Sequence, residues 1–209
     1  MAKSSMHIED GEAVKFLERD FNQCFMQLRH YDSQIWNICR FAFTAYISIL
    51  GTALGLYHYS VEKSLNLIPA AIGVLGAGLV LGFLLYSLVI CNRAYYVLVC
   101  RYINEHRKFF LEGRPFGFEN VSGMYMNSAI PPYFNWRSWQ SWLCYLIASL
   151  NAALLTALLI FYFSDEYSWR WPLTITIGII TALIQIGSGI IYLKSREDKI
   201  GSEGISAKE

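Results

Sequence analysis

The chain has 209 residues, 55% of them hydrophobic and 16% charged, with a formal net charge of +1. Soluble domains carry roughly 25% charged residues, so the composition points away from a water-soluble domain, and the near-neutral balance points away from the concentrated basic patch that nucleic acid requires. Charge is also segregated: residues 64–92, 138–164 and 171–193 contain no Asp, Glu, Lys or Arg, and each run exceeds the ~20 residues that cross ~30 Å of hydrocarbon.

Residues 1–40 are polar and amphipathic. Within them Val14, Leu17, Phe21, Cys24, Leu28, Tyr31, Ile35 and Ile38 alternate at spacings of three and four, the heptad seam of a packed helix. The phase continues through Ala42, Ala45 and Ile49 into a first apolar run over 41–59, with no helix breaker between. The pattern predicts a single helix from about residue 12 to 57, whose first half leaves the bilayer by roughly 40 Å at 1.5 Å per residue. Arg40 marks the change of solvent; it is expected to snorkel to the interface, with a buried functional cation as the alternative. Phe16, Phe25 and Met26 lie off the seam and ask for a second partner, such as another subunit.

The second span covers 65–92. Beyond it Tyr95, Val99, Tyr102, His106 and Phe109 continue a helical stripe, which predicts a helix from about 67 to 112 and a second projection of roughly 30 Å. The short connection 58–66 makes the two helices antiparallel neighbours. Gly51 and Gly55, and again Gly78 and Gly82, form G-x-x-x-G steps that allow close helix approach in lipid, either within a subunit or between subunits. Residues 93–137 complete the extramembrane part; the loop 113–133 carries Gly113, Pro115, Gly117, Gly123 and the pair Pro131-Pro132, all helix breakers. Its aromatic residues Phe116, Phe118, Tyr125 and Tyr133 are expected to pack on the stalk helices.

Spans three and four occupy 138–164 and 171–193, joined by "SDEYSWR". Asn151 and Gln185 fall at similar depth in this hairpin. Intramembrane amides rarely face lipid, so two readings arise: a hydrogen bond worth ~0.6 to 2 kcal/mol that fixes the hairpin, or a polar ring lining a pore. The tail 194–209 is polar, and its end is expected to be poorly ordered.

Basic residues set the expected topology. Fifteen of the seventeen lie in 1–40, 93–137 and 194–209, and only Lys63 and Arg170 lie in the two short connections. The positive-inside rule then puts both termini and the middle segment in the cytoplasm. All six tryptophans (Trp36, Trp136, Trp139, Trp142, Trp169, Trp171) sit at predicted boundaries, where indoles favour headgroup depth. The sequon at Asn120 lies on the wrong side for glycosylation. No cleavable signal peptide is expected, because the lead before the first apolar run is too long. Five cysteines without a C-x-x-C pair read as reduced core thiols, with lipidation of Cys91 or Cys39 as the sharper alternative.

Chemistry-bearing motifs are sparse. The sequence has no H-E-x-x-H, G-x-S-x-G or phosphate-binding loop, and its G-x-G fragment lies inside a span without a preceding strand, so no enzymatic activity and no cofactor is expected. His106 reads as a packing residue rather than a metal ligand, and the other histidines do not cluster.

The tract "FNQCFMQLRHYDSQIWNICRFAFTAYISILGTALGLY" over 21–57 resembles the small bacterial membrane proteins grouped as RipA-like, which are described as octameric. The resemblance implies a bacterial inner-membrane protein that assembles as a ring-like homo-oligomer, and implies no catalytic residue. The combined expectation is an all-α protein with four transmembrane helices, spans one and two extended into a cytoplasmic stalk or platform. Its partners would be the lipid bilayer, copies of itself and a possible cytosolic protein. The function expected is a non-enzymatic scaffold. A channel or pore-forming effector in stress or phage defence, gated through the platform, is the alternative, and an accessory transporter subunit a third.

Overall fold

The computed structural model describes residues 10–112, 117, 119–123, 125–163 and 170–206. The expected loop residues Gly113, Pro115, Phe116 and Phe118, most of the connection after span three including Trp169, and the first nine and last three residues lie outside this set. Among the described residues the only regular elements longer than a turn are four helices: α1 (Asp10–Lys63), α2 (Ile68–Glu112), α3 (Trp139–Tyr162) and α4 (Trp171–Ser206). All four are long and apolar enough to cross a membrane.

α1 runs 54 residues without interruption, as the continuous seam and the lack of Pro before residue 69 predict. It stops where Ser64 turns into the left-handed region, at φ 53. The turn is closed by Ser60, whose hydroxyl meets Leu65 O and accepts from Leu67 N at 3.2 Å. α2 then starts with Pro69 in its first turn, where a missing N–H costs no helical bond. Ser138 caps α3, its side chain accepting from Ser141 N. α4 continues into the polar tail as far as Ser206, and the end of the tail lies outside the described residues. The segment lacks proline, and Glu197 accepts from Tyr133 N at 3.0 Å, which pins one face of the extension.

The chain forms two compact units. One, the two-helix unit, comprises Met1–Ser33 and Tyr95–Pro132; the other, the four-helix unit, comprises Gln34–Ala94 and Tyr133–Glu209. The four-helix unit has its core in Ala42, Tyr46 and Ala53 of α1, Ala71, Leu75 and Leu85 of α2, and Leu154 and Phe161 of α3. Small alanines alternate with branched chains there, which lets the helices approach closely. Trp36 stacks on Trp139 at 5.3 Å between ring centroids.

In the two-helix unit Cys24, Val97 and Ile103 are buried. Tyr31 stacks on Tyr95, rings 6.1 Å apart and 11° from parallel. The non-helical residues up to Pro132 are held against α2 by its polar side chains, as described below.

Candidate functional site: a buried polar network

Four helices converge on one polar cluster inside the four-helix unit. Tyr46 of α1 donates its phenolic O–H to Asn151 Oδ1 of α3 at 2.5 Å. Asn151 Nδ2 donates in turn to Gln185 Oε1 of α4 at 3.0 Å. α2 contributes Gly82, where a Cβ would overlap Asn151 Oδ1 and come within 2.6 Å of the Tyr46 hydroxyl. Only a residue without a side chain leaves room for this junction. Asn151 is 0% and Gln185 4% exposed. Gln185 Nε2 has no hydrogen-bond partner among the described residues.

A second tie lies one turn away on α2. Tyr86 donates to the backbone oxygen of Gln185 at 2.7 Å, and a Cβ at Gly189 would stand 2.5 Å from the Tyr86 hydroxyl. Gly178 of α4 lies against Thr156 and the Ala152 carbonyl of α3. In each case a glycine faces an oxygen of a neighbouring helix, the arrangement that allows polar contact at short interaxial distance in lipid.

At one end of the same unit Arg93 is buried. Its Nε donates to Tyr133 O at 3.1 Å and its Nη1 to Gln140 Oε1 at 2.7 Å. Asn92 Nδ2 donates to Gln34 Oε1 at 3.1 Å. Burying a guanidinium is costly unless it is paired and hydrogen-bonded, and here it joins α2 to the segment that leads into α3. A cavity of about 10 Å³ touches Arg93, Ser141 and Tyr145, close to the smallest volume that holds one water.

The two-helix unit uses its polar groups differently. Asp20 accepts from the Tyr102 hydroxyl at 2.8 Å and lies 3.0 Å from His106 Nε2. Arg101 Nε donates to Pro131 O at 2.9 Å, and Asn104 Nδ2 donates to Asn127 O at 3.2 Å and Ile130 O at 2.7 Å. The Arg107 guanidinium lies 4.8 Å from the Tyr125 ring centre. An apolar groove of about 630 Å³ runs past Val14, Phe21, Phe110, Leu111 and Tyr125.

The structure brings some sequence-predicted residues together and leaves others apart. Asn151 and Gln185 are hydrogen-bonded. The two glycine steps separate: Gly78 lies against Ile49 and Gly82 against Asn151 within the chain, whereas a Cβ at Gly51 or Gly55 would meet no described atom within 4 Å. Arg40 is exposed and donates to Asn37 Oδ1 at 3.0 Å. On the α1 seam Leu17, Phe21, Leu28 and Tyr31 are partly buried, and Val14 is exposed. On the α2 stripe Val99 is partly buried and His106 buried, while Tyr95, Tyr102 and Phe109 are exposed. Val97, Arg101, Ile103 and Asn104 of that stretch are also buried, and Arg101 and Asn104 bond to carbonyls of the loop.

Sequence reasoning missed Tyr46, Tyr86, Arg93, Arg101, Asn104 and Gln140. Signals existed for three of them: Tyr46 lies one turn beyond Ala42, beside the seam residue Ala45, and Arg93 and Arg101 follow the second apolar run about two turns apart. Among the described residues no group of three or more His, Cys, Asp or Glu could hold a metal ion. No protein-family model, no curated protein and no solved structure matches the chain.

Proposed function

We propose that the protein is a non-enzymatic, homo-oligomeric scaffold of a bacterial inner membrane. Its termini and the two-helix unit would face the cytoplasm, where that unit forms a platform for other copies or a cytosolic partner. The observation that carries the reading is the use made of the intramembrane amides. Asn151 and Gln185 are buried and bonded to each other, and Asn151 also to Tyr46, within one chain. Polar groups used this way fix helices together; a pore would turn them to a water-filled face. The distribution of Lys and Arg supports the orientation. Exposed Phe16, Met26 and Phe109 in the two-helix unit support a protein partner there, and the tract resembling RipA-like proteins supports a ring of copies.

The test combines stability with conductance. Asn151→Leu and Gln185→Leu should each lower the thermal stability of the detergent-purified protein, with a coupling of about 0.6 to 2 kcal/mol in the double-mutant cycle. Wild-type protein in planar bilayers should pass no current. Robust wild-type conductance that Asn151→Leu abolishes would reject the scaffold in favour of the pore-forming alternative.

A further inference from the structure

Aromatic pairs close both ends of the contact between α1 and α3. Trp36 stacks on Trp139 at one end, and Tyr57 meets Phe161 at the other, each pair with ring centroids 5.3 Å apart. The two helices therefore run side by side in the same direction. At 1.5 Å per residue the pairs stand about 32 Å apart, close to the ~30 Å of hydrocarbon that a span crosses. Tryptophan and tyrosine gather at both faces of a bilayer, so the Trp36–Trp139 stack marks headgroup depth.

From the stack, matching stripes descend both helices. At about 100° per residue, Trp36, Arg40, Phe43 and Ile47 of α1 fall within about 60° of one another, and all four are exposed. Trp139, Leu143, Leu146 and Leu150 of α3 repeat the same offsets, with Trp139 and Leu146 exposed and the other two partly buried. Arg40 is the one charged member, a turn to the hydrocarbon side of the indoles. Its guanidinium is turned back toward them, Nη2 donating to Asn37 Oδ1 at 3.0 Å. Arg40 makes no ion pair with a described residue, and residues 33–61 and 120–164 contain no Asp or Glu. The indole N–H groups of Trp36 and Trp139 make no hydrogen bond with a described residue either.

We infer that the α1–α3 seam seats one anionic phospholipid. A cation on the lipid side of a span is costly unless it is paired, and the planar guanidinium fork suits phosphate oxygens. Asn37 takes one of its N–H groups and leaves the others for the headgroup. The phosphodiester sits on Arg40, the indole N–H groups reach phosphate or ester oxygens, and an acyl chain lies over Phe43, Ile47 and Leu146. Net charge selects among lipids. A zwitterionic headgroup brings an ammonium, for which neither helix holds a carboxylate at this depth. Arg137, exposed two residues before Trp139, adds a second cation at the same end, and basic sites between spans favour anionic headgroups. The site lies within one chain, so it stands for a monomer and for a ring of copies alike.

Protein reconstituted in nanodiscs of equal phosphatidylglycerol and phosphatidylethanolamine, then released for native mass spectrometry, should retain phosphatidylglycerol several-fold more than phosphatidylethanolamine. Arg40→Gln should abolish that preference, whereas Lys194→Gln, at an exposed cation of α4, should leave it intact. A benzophenone side chain in place of Ile47 should cross-link phosphatidylglycerol in preference to phosphatidylethanolamine. The same group in place of Ile184, exposed on α4, should show no preference. The cross-link leaves Arg40 unchanged, so it decides the site even where Arg40→Gln fails to fold. Equal retention of the two lipids by the wild type, a preference that survives Arg40→Gln, or cross-linking without preference at residue 47 overturns the site. An Arg40→Gln change in oligomer mass with lipid retention unaltered gives the seam to a second copy and also overturns it.

Discussion

The two units differ in what their most buried amides and guanidinium groups bond to. In the four-helix unit Tyr46, Asn151 and Gln185 bond side chain to side chain, from one helix to the next. In the two-helix unit Arg101 and Asn104 send their side chains to backbone carbonyls of the loop, at Pro131, Asn127 and Ile130. The difference follows from what each unit must satisfy. Helices saturate most of their own backbone groups, so an amide in an apolar helix pairs chiefly with other side chains, although the Gln185 carbonyl also takes the Tyr86 hydroxyl. An irregular loop has carbonyls without helical partners, and long polar side chains from a neighbouring helix replace the missing ladder.

The largest test of this contrast falls on Gly82. Gly82→Val puts atoms where Asn151 Oδ1 now sits, so it overpacks the junction and breaks the Tyr46–Asn151 bond together. Overpacking alone costs typically 1 to 3 kcal/mol, and the variant should lose about 3 kcal/mol or more, seen as a large drop in melting temperature. Gly51→Val, at open space on the same class of motif, should leave the monomer fold intact. Equal destabilisation by both would show that the glycines serve helix packing in general and not this junction.

Much of the architecture was legible in the residues, and the reasons are specific. Three charge-free runs longer than a bilayer and a fourth, shorter apolar run over 41–59 marked the four helices, and the unbroken spacing from Val14 to Ile49 marked α1 as one element. Asn151 and Gln185 stood out because amides are rare in such runs. Their partner Tyr46 did not: it lies one residue off the seam through Ala42, Ala45 and Ile49, and a tyrosine in an apolar run reads as packing until its hydroxyl is seen to reach across. The α2 stripe was harder. Tyr95, Tyr102 and His106 do meet α1 residues, at Tyr31 and Asp20, but hydrophobicity ranks them above Arg101 and Asn104, which are more buried than either tyrosine. A periodicity argument weighs apolar residues and is blind to a polar face buried by loop carbonyls.

A middle-sized effect is expected from the loop clamp. Asn104→Leu removes the donor shared by Asn127 O and Ile130 O. Asn127 and Ile130 are exposed and Asn127 O keeps its bond from Ile130 N, so the cost should be about 1 kcal/mol, the net worth of an ordinary hydrogen bond, and the loss should stay local. Hydrogen exchange should speed up in residues 127–133 while α3 and α4 keep their protection. Unchanged exchange in the loop would mean that Arg101 and the turns alone hold it.

The smallest effect separates the two partners of Asp20. One carboxylate oxygen accepts from the Tyr102 hydroxyl and lies 3.0 Å from His106 Nε2, but the two partners differ in their access to water. Tyr102 is 42% exposed and His106 6%. Tyr102→Phe therefore removes a bond that water can partly replace on the carboxylate, and the cost should fall near about 0.5 kcal/mol, the low end for a hydrogen bond. Asp20→Leu removes the acceptor from both partners and strands the imidazole N–H, whose surroundings are too enclosed for easy hydration. It should cost about 1 to 3 kcal/mol. The double variant should cost no more than Asp20→Leu alone, because the phenol bond is already gone. Thermal melts of the three variants decide the matter: a Tyr102→Phe loss equal to that of Asp20→Leu would make the tyrosine, and not the buried histidine, the principal partner of Asp20.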